Sequence, residues 1–340
     1  MIRLKDIAAQ AGVSVMTVSK VLRDAPDISA ATKVRIKALA QQMGYVPDSM
    51  AQGLRNRTTK LFGLVISATT NPIFSRVVMA IEEQAYELGY DVILAHSMNN
   101  VEREEKVIRR LLSRRVDGLF VTPVYRLDPR AHIYEELAKR GLPVVLLGHR
   151  APFCSSFCSV ETEDIQASYV ATQHLIQLGH RRIAFFTGGS SSPSSQERFE
   201  GYKRALREND MGLDDRLIFN AGATIEEGEK AALQMLNERP GATAVQAVND
   251  LVAIGAADTF LNQGLQLPGD LSIVGFGNIL TSEYFRVPLT TIRQPKFRLG
   301  IAAMESMQRL MRGERPENKR LQAEIIIRAS SGPPAAASRT

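Results

Sequence analysis

Only two cysteines occur in 340 residues, Cys154 and Cys158 of the stretch CSSFC. That spacing is neither a redox Cys-x-x-Cys nor half of a four-ligand zinc site. Both read as ordinary unpaired thiols, and no metal or cofactor is expected. No apolar run reaches membrane-spanning length. The start, MIRLKDIAAQ, has neither the apolar core nor the small-residue cleavage site of an export signal. A cytoplasmic location without a membrane partner is therefore the expectation. Catalytic signatures are missing as well: there is no HExxH, no GxSxG and no cluster of carboxylates. GFGNIL (275–280) lacks the third glycine of a dinucleotide fingerprint, and GGSSSPSS (188–195) lacks the Gly-Lys-Ser/Thr of a phosphate loop. An enzyme is not expected. What remains is an ordinary globular composition, 44% hydrophobic and 23% charged, in a chain long enough for two or three domains.

Excess charge is also missing, except at one end. Residues 1–60 carry ten Lys/Arg against four acids, and the other 280 residues carry 32 of each. A small basic module joined to a neutral bulk is the electrostatic footprint of a nucleic-acid reader with an appended domain.

The basic module has the pattern of three short helices. Leu4, Ile7, Ala8 and Ala11 have helical spacing, and Gly12 ends the run. Ser14 can cap a second helix in which Val18, Val21 and Leu22 face inward while Met16, Thr17, Lys20 and Arg23 face out. Ser29 can cap a third, whose Val34, Ile36, Leu39, Ala40 and Met43 would cover the other two, up to Gly44. Helix, glycine turn, helix is a helix-turn-helix.

LKDIAAQAGVSVMTVSKVLRD, followed by SAATKVRIKALAQQMGYVPDSMAQGLR, resembles the N-terminus of the LacI/GalR family of bacterial transcription regulators. The resemblance continues to about residue 330. It implies that the second helix enters the major groove, where base edges carry a readable pattern. Val15, Met16 and Lys20 match base-reading positions, and Ser14 and Thr17 match phosphate contacts. Lys20 stands where Arg is commoner and lacks the planar fork. Arg3 stands where a Thr cap is common. Pro47 to Leu54 matches the family's hinge helix, and Leu54 its apolar minor-groove wedge.

From residue 61 short apolar runs alternate with amphipathic stretches. The candidate strands are 61–67, 91–96, 117–123, 143–148, 182–188, 217–221, 244–250 and 271–277. Helical stretches include 71–89, 101–113, 163–179, 195–208 and 225–238. This alternation implies parallel sheets covered on both faces. The resemblance adds a two-lobed, periplasmic-binding-protein-like α/β domain, with crossings between lobes near residues 160, 291 and 322, so that LTTIRQP and AEIIIRA are expected as return strands. The expected division is 1–46 for an all-α helix-turn-helix domain, 47–60 for the hinge and linker, and 61–330 for an effector-binding and dimerisation domain. Lobe 1 would hold 61–160 and 292–321, and lobe 2 would hold 161–290 and 322–330. Residues 331–340 read as a disordered tail.

Ligands of open parallel sheets sit beyond the carboxyl ends of the strands. At those ends the resemblance marks Asn71, Phe74, His149, Arg198, Asn249, Asn278 and Gln294 as effector contacts. His149 replaces the usual Asp, and Arg198 matches a clamping arginine expected to hold ligand rather than fold. Gly277-Asn278 replaces two acids, which argues against a plain neutral hexose and favours a phosphorylated, acidic or larger ligand. The implied protein is a repressor that binds a palindromic operator in double-stranded DNA as a homodimer, under a small-molecule effector of carbohydrate type. A sugar transport receptor would share the body but needs an export signal. An architectural DNA protein would not need the body.

Overall fold

The computed structural model describes residues 2–46 and 58–335, and divides into two compact units, 1–59 and 60–340. In the first unit α1 (Leu4–Ala11), α2 (Val15–Leu22) and α3 (Ala30–Gln42) pack around Ile7, Val18, Val21 and Ile36, all fully buried. Gly12 takes φ +66°, a left-handed turn that costs glycine least, and so lets α2 follow α1 at once. Ser14 Oγ accepts the Thr17 N–H at 3.0 Å and Ser29 Oγ that of Thr32 at 3.4 Å, satisfying helix-end donors. One expectation needs correction, and one is met. Val34 is 71% exposed, because it lies half a turn away from the Ile36–Ala40 face. Arg3, in place of the usual Thr, supplies no side-chain cap, and its own N–H is taken by Asp6 Oδ2 at 2.8 Å, half of a capping box. Leu54 and the rest of the expected hinge, 47–57, lie outside the described residues.

The second unit holds β1 (Leu61–Ile66), β2 (Asp91–His96), β3 (Gly118–Val121), β4 (Val144–Leu147), β5 (Cys158–Thr162) and β6 (Ile183–Thr187). Then come β7 (Ile218–Asn220), β8 (Ala244–Ala247), β9 (Ser272–Gly277), β10 (Thr290–Arg293), β11 (Lys319–Leu321) and β12 (Glu324–Ile326). They form two six-stranded sheets, ordered β11-β5-β4-β3-β1-β2 and β12-β10-β9-β8-β6-β7. All pairings are parallel except β10–β12. Each sheet has a core on both faces. In the first lobe Phe62 and Phe120 pack against the helix Lys296–Met311 through Ala303 and Met307, while Leu119 and Leu146 pack against Leu111 and Leu137. Burying each such large side chain contributes about 1.5–3 kcal/mol.

β5 and β11 were not among the expected strands. Cys158–Thr162 reads as polar alternation, and β11 is three residues bearing two cations. The chain crosses between lobes after Thr162, after Arg293 and after Leu321. β10 pairs with β9 throughout, so the second crossing follows Arg293. The start of the tail is also ordered. Ser330 is 1% exposed with Oγ donating to Ile273 O at 2.7 Å, and Gly332 donates to Ser272 Oγ at 3.0 Å. The Gly and Pro content suggested disorder, but polar pairing with β9 and His180 holds 330–332. Both cysteines are free thiols. No helix among the described residues is long and apolar enough to cross a membrane.

Candidate functional site

Two regions gather the marked residues, one on each unit. On α2, Val15 is 46% and Met16 62% exposed, side by side at the helix start. The short turn before α2 and the inward pull of Val18 and Val21 leave these apolar side chains nothing to pack on. Thr17 Oγ1 lies 2.9 Å from Ser14 Oγ, so both hydroxyls are held at the N-terminus, where free N–H groups favour an anion. Lys20 is not free: its ammonium pairs with Asp27. Asp24 similarly takes Lys37 at 2.7 Å. The role of Asp27 is not legible in the sequence, because a partner seven residues away across a turn has no periodic signature.

The second region is a cavity of about 470 Å³ between the lobes, at the carboxyl ends of β1, β3, β6, β7, β8 and β9. Asn71, Phe74, Arg198 and Asn249 border it. Asn71 Oδ1 takes the Ile73 N–H at 3.2 Å, at the start of the helix Ile73–Glu87 that carries Phe74. Asn249 caps the helix Asp250–Asn262 by accepting the Val252 N–H at 2.8 Å, and donates to Ala223 O at 3.1 Å. The Gly-Ser run forms one wall through Gly189, Ser191, Ser192, Ser194 and Ser195.

A smaller chamber of about 170 Å³ adjoins it, bordered by Phe74, His149, Glu161, Asp164, Arg198 and Gln294. Asp164 begins the helix Asp164–Gln177, and Arg198 lies on the helix Pro193–Glu208. Arg198 is 9% exposed; it donates to Val248 O at 2.7 Å and Asp164 Oδ2 at 3.2 Å, and stacks 3.7 Å from the Phe276 ring centroid. The expectation that it holds only ligand is therefore corrected: its fork also ties three elements of the second lobe together.

His149 follows β4. Its Nε2 lies 3.0 Å from Glu197 Oε2, 3.7 Å from Asp164 Oδ2 and 3.8 Å from Glu161 Oε2, and Tyr125 OH donates to its carbonyl at 2.8 Å. Burial alone would push its imidazole down, but the Glu197 hydrogen bond and the Asp164 and Glu161 charges together hold its pKa above the ordinary value. Burial raises the carboxyls of Glu161 and Asp164, against the pull of His149 and Arg320 on the first and of Arg198 and His149 on the second. For Glu197 burial is outweighed by its bonds to His149 and Arg320, and its pKa falls. Arg320 of β11 reaches Glu161 at 2.9 Å and Glu197 at 2.7 Å. Glu197 thus bridges the lobes. Glu161 carries no sequence signal, since it lies on the polar strand β5, and Glu197 is masked by the more conspicuous Arg198 beside it.

Asn278 does not join this group. Its Oδ1 takes Arg328 at 2.8 Å and its carbonyl takes Lys296 Nζ at 2.7 Å, on a separate hollow of about 600 Å³ that Gln294 also borders. The cause is local. Gly277 has φ +140°, and its carbonyl also accepts from Lys296, at 2.6 Å, so the chain turns away from the cleft. Burial pushes the Lys296 ammonium down to about 8. Asp250, fully buried, takes the Ile279 N–H at 2.9 Å, Ser282 Oγ at 2.7 Å and Thr291 Oγ1 at 2.5 Å.

Comparison with known proteins matches both units. Residues 3–48 match the model of bacterial regulatory proteins of the lacI family, and residues 59–329 that of periplasmic binding proteins and the sugar binding domain of the LacI family. The HTH-type transcriptional repressor PurR of Photobacterium profundum is 32% identical over 335 residues, 97% of this chain and 98% of its own. The HTH-type transcriptional regulator GalR of Escherichia coli is 32% identical over 305 residues, 90% of this chain and 88% of its own. Among solved structures, the lac repressor dimer bound to operator and the anti-inducer ONPF superposes with TM-score 0.87 at 29% identity, over 97% of this chain and 99% of that one. A complex of the transcriptional regulator CelR with cellobiose superposes with TM-score 0.73 at 28% identity, over 97% and 100%.

Proposed function

We propose a mechanism for a chain that belongs to the LacI family of bacterial regulatory proteins and is a DNA-binding transcription regulator, not an enzyme. It represses by holding a palindromic operator as a homodimer, and a small carbohydrate or carbohydrate derivative in the interlobe cleft sets its affinity for DNA. One observation carries this reading. A single chain joins a helix-turn-helix unit, with Val15, Met16 and Lys20 on the outer face of α2, to a two-sheet unit with a polar cavity at its strand ends. Ser14 and Thr17 position α2 on phosphates, and Leu54 wedges the minor groove. Asn71, Phe74, His149, Arg198, Asn249 and Gln294 contact the effector. The effector acts through unequal affinity for two lobe arrangements, since a ligand with equal affinity for both shifts nothing.

Selection from a random duplex pool tests the DNA half, and a thermal-shift screen of the full chain against sugars, sugar acids, sugar phosphates and nucleobases tests the other. Recovery of a two-fold-symmetric site, weakened by a ligand that also raises Tm, is expected. Unrelated, asymmetric sequences would sink the operator reading. A ligand that binds without changing DNA affinity would sink the control reading.

A further inference from the structure

The hollow of about 600 Å³ beside Asn278 lies on the flank of the body, outside the interlobe cleft. Of the residues that border the cleft cavity and its chamber, only Ile279 and Gln294 recur at its wall. The helix Ile73–Glu87 brings Arg76 to it, β10 brings Arg293, and the helix Lys296–Met311 brings Lys296 and Arg298. Two acids, Glu283 and Glu324, face these four cations. Both acids are already engaged: Glu324 takes Arg293 at 2.5 Å, and Glu283 lies 3.6 Å from Arg328.

Three cations are left over. Lys296 is 8% exposed, and its ammonium donates to the carbonyls of Gly277 at 2.6 Å and Asn278 at 2.7 Å. An ammonium has three donors, so one is unspent. No carboxylate among the described residues lies within ion-pairing distance of it, and a buried charge without a counter-ion is costly. Arg76 and Arg298 are exposed and form no ion pair or side-chain hydrogen bond among the described residues. The cations also stand close enough to repel one another. Burial lowers the Lys296 ammonium most, and the charges of Arg76 and Arg293 lower it further, against the pull of Asp250. The helix Lys296–Met311 opens here too, with Pro295 at its N-cap and no capping side chain, and adds the positive end of its dipole. Two solvated arginines alone would be ordinary surface; the buried ammonium behind them is not.

We propose that this hollow is a second ligand site, separate from the cleft, and that it takes a phosphate monoester. The three terminal oxygens of the dianion match the three unspent groups, the Lys296 ammonium and the guanidinium groups of Arg76 and Arg298. The rest of the hollow takes the organic part of the ester. Arg76, Lys296 and Arg298 belong to the first lobe, and the carbonyls that hold Lys296 belong to the second. An occupied hollow therefore ties the two lobes together on their flank, whatever the cleft holds.

Calorimetry and thermal shift on the full chain at constant ionic strength test this, with glycerol 3-phosphate and inorganic phosphate as probes and malonate and chloride as controls. Saturable binding of both phosphates with a rise in Tm is expected, and neither control should match it. Arg76→Gln and Arg298→Gln should each weaken phosphate binding by about tenfold or more, the loss of one charge-assisted hydrogen bond. Both side chains are exposed, so ligand-free Tm should stay near that of the wild type, and it separates lost binding from a damaged fold. Equal stabilisation by malonate or chloride would overturn the proposal, since the cations would then answer only to the ionic atmosphere. Phosphate binding that both folded variants retain at full strength would place the ligand elsewhere and overturn it too. So would the absence of saturable binding by either phosphate.

Discussion

Lys20 shows what one residue can and cannot reveal. Its place on the outer face of α2 is legible from spacing, while its pairing with Asp27 is not. An exposed pair of this kind contributes little to the fold, so it is readily exchanged for DNA. Asp27→Asn is accordingly expected to tighten operator binding several-fold in fluorescence anisotropy, with Tm nearly unchanged. Lys20→Ala should relax preference at one base pair per half-site by about 1–3 kcal/mol, as read by competition with single-base operator variants. A loss spread evenly over all sequences would mark Lys20 as a phosphate contact. Arg198 was legible as a site residue but not as a strut, because its partners Val248 and Asp164 lie far away in sequence. Arg198→Ala leaves Asp164 buried without its guanidinium, and breaking such a pair costs about 3–5 kcal/mol. Tm should fall along with effector response. His149 adds a pH signature. Its folded pKa is raised, so its contribution is fully present below its unfolded value of about 6.5 and is lost as pH rises through the folded one. The Tm gap between wild type and His149→Gln should therefore be widest in mild acid and close towards alkaline pH. A gap that stays constant with pH would show that the imidazole acts by packing alone.

At the scale of elements, the long parallel strands and the amphipathic helices could be read from the chain, since four to six consecutive apolar residues have few other uses. The short edges could not. β11 is Lys-Arg-Leu, and only pairing with β5 makes it a strand. The end of β9 was read by type and misjudged by geometry. Gly277 looked like a lost acid, whereas its φ of +140° belongs to glycine, and a Cβ there would stand 3.3 Å from Asp250 Oδ2. Gly277→Asp should destabilise by about 1–3 kcal/mol from backbone strain, with like-charge repulsion from Asp250 added, and it should not create a sugar contact. Urea unfolding measures the first, and calorimetry with the identified effector the second. An unchanged midpoint would show that the turn relaxes. Composition likewise concealed the clasp of 330–332 on β9, because it depends on single polar bonds to Ser272, His180 and Ile273.

For the whole molecule, the concentration of excess charge in residues 1–60 predicts that affinity for any duplex falls steeply with salt, while preference for operator over random DNA rests on α2 and the hinge. Leu54→Ala should lower that preference and the bend angle in circular-permutation gels, leaving ligand binding intact; if both survive, the wedge assigned to Leu54 is wrong. The three crossings bear on how the chain is made. Strands β1 to β5 leave the ribosome long before the helix Lys296–Met311 that covers Phe62 and Phe120. At about 5–20 residues per second the interval is on the order of ten seconds or more. Throughout it the first sheet presents a greasy, unfinished face to solvent, while α1 to α3 close on contacts all within the first 46 residues. Nascent chains stalled before residue 296 should thus resist protease in the N-terminal unit and be cut throughout the body. The chain completes its helix-turn-helix unit first, and its two-sheet unit only when translation is nearly over.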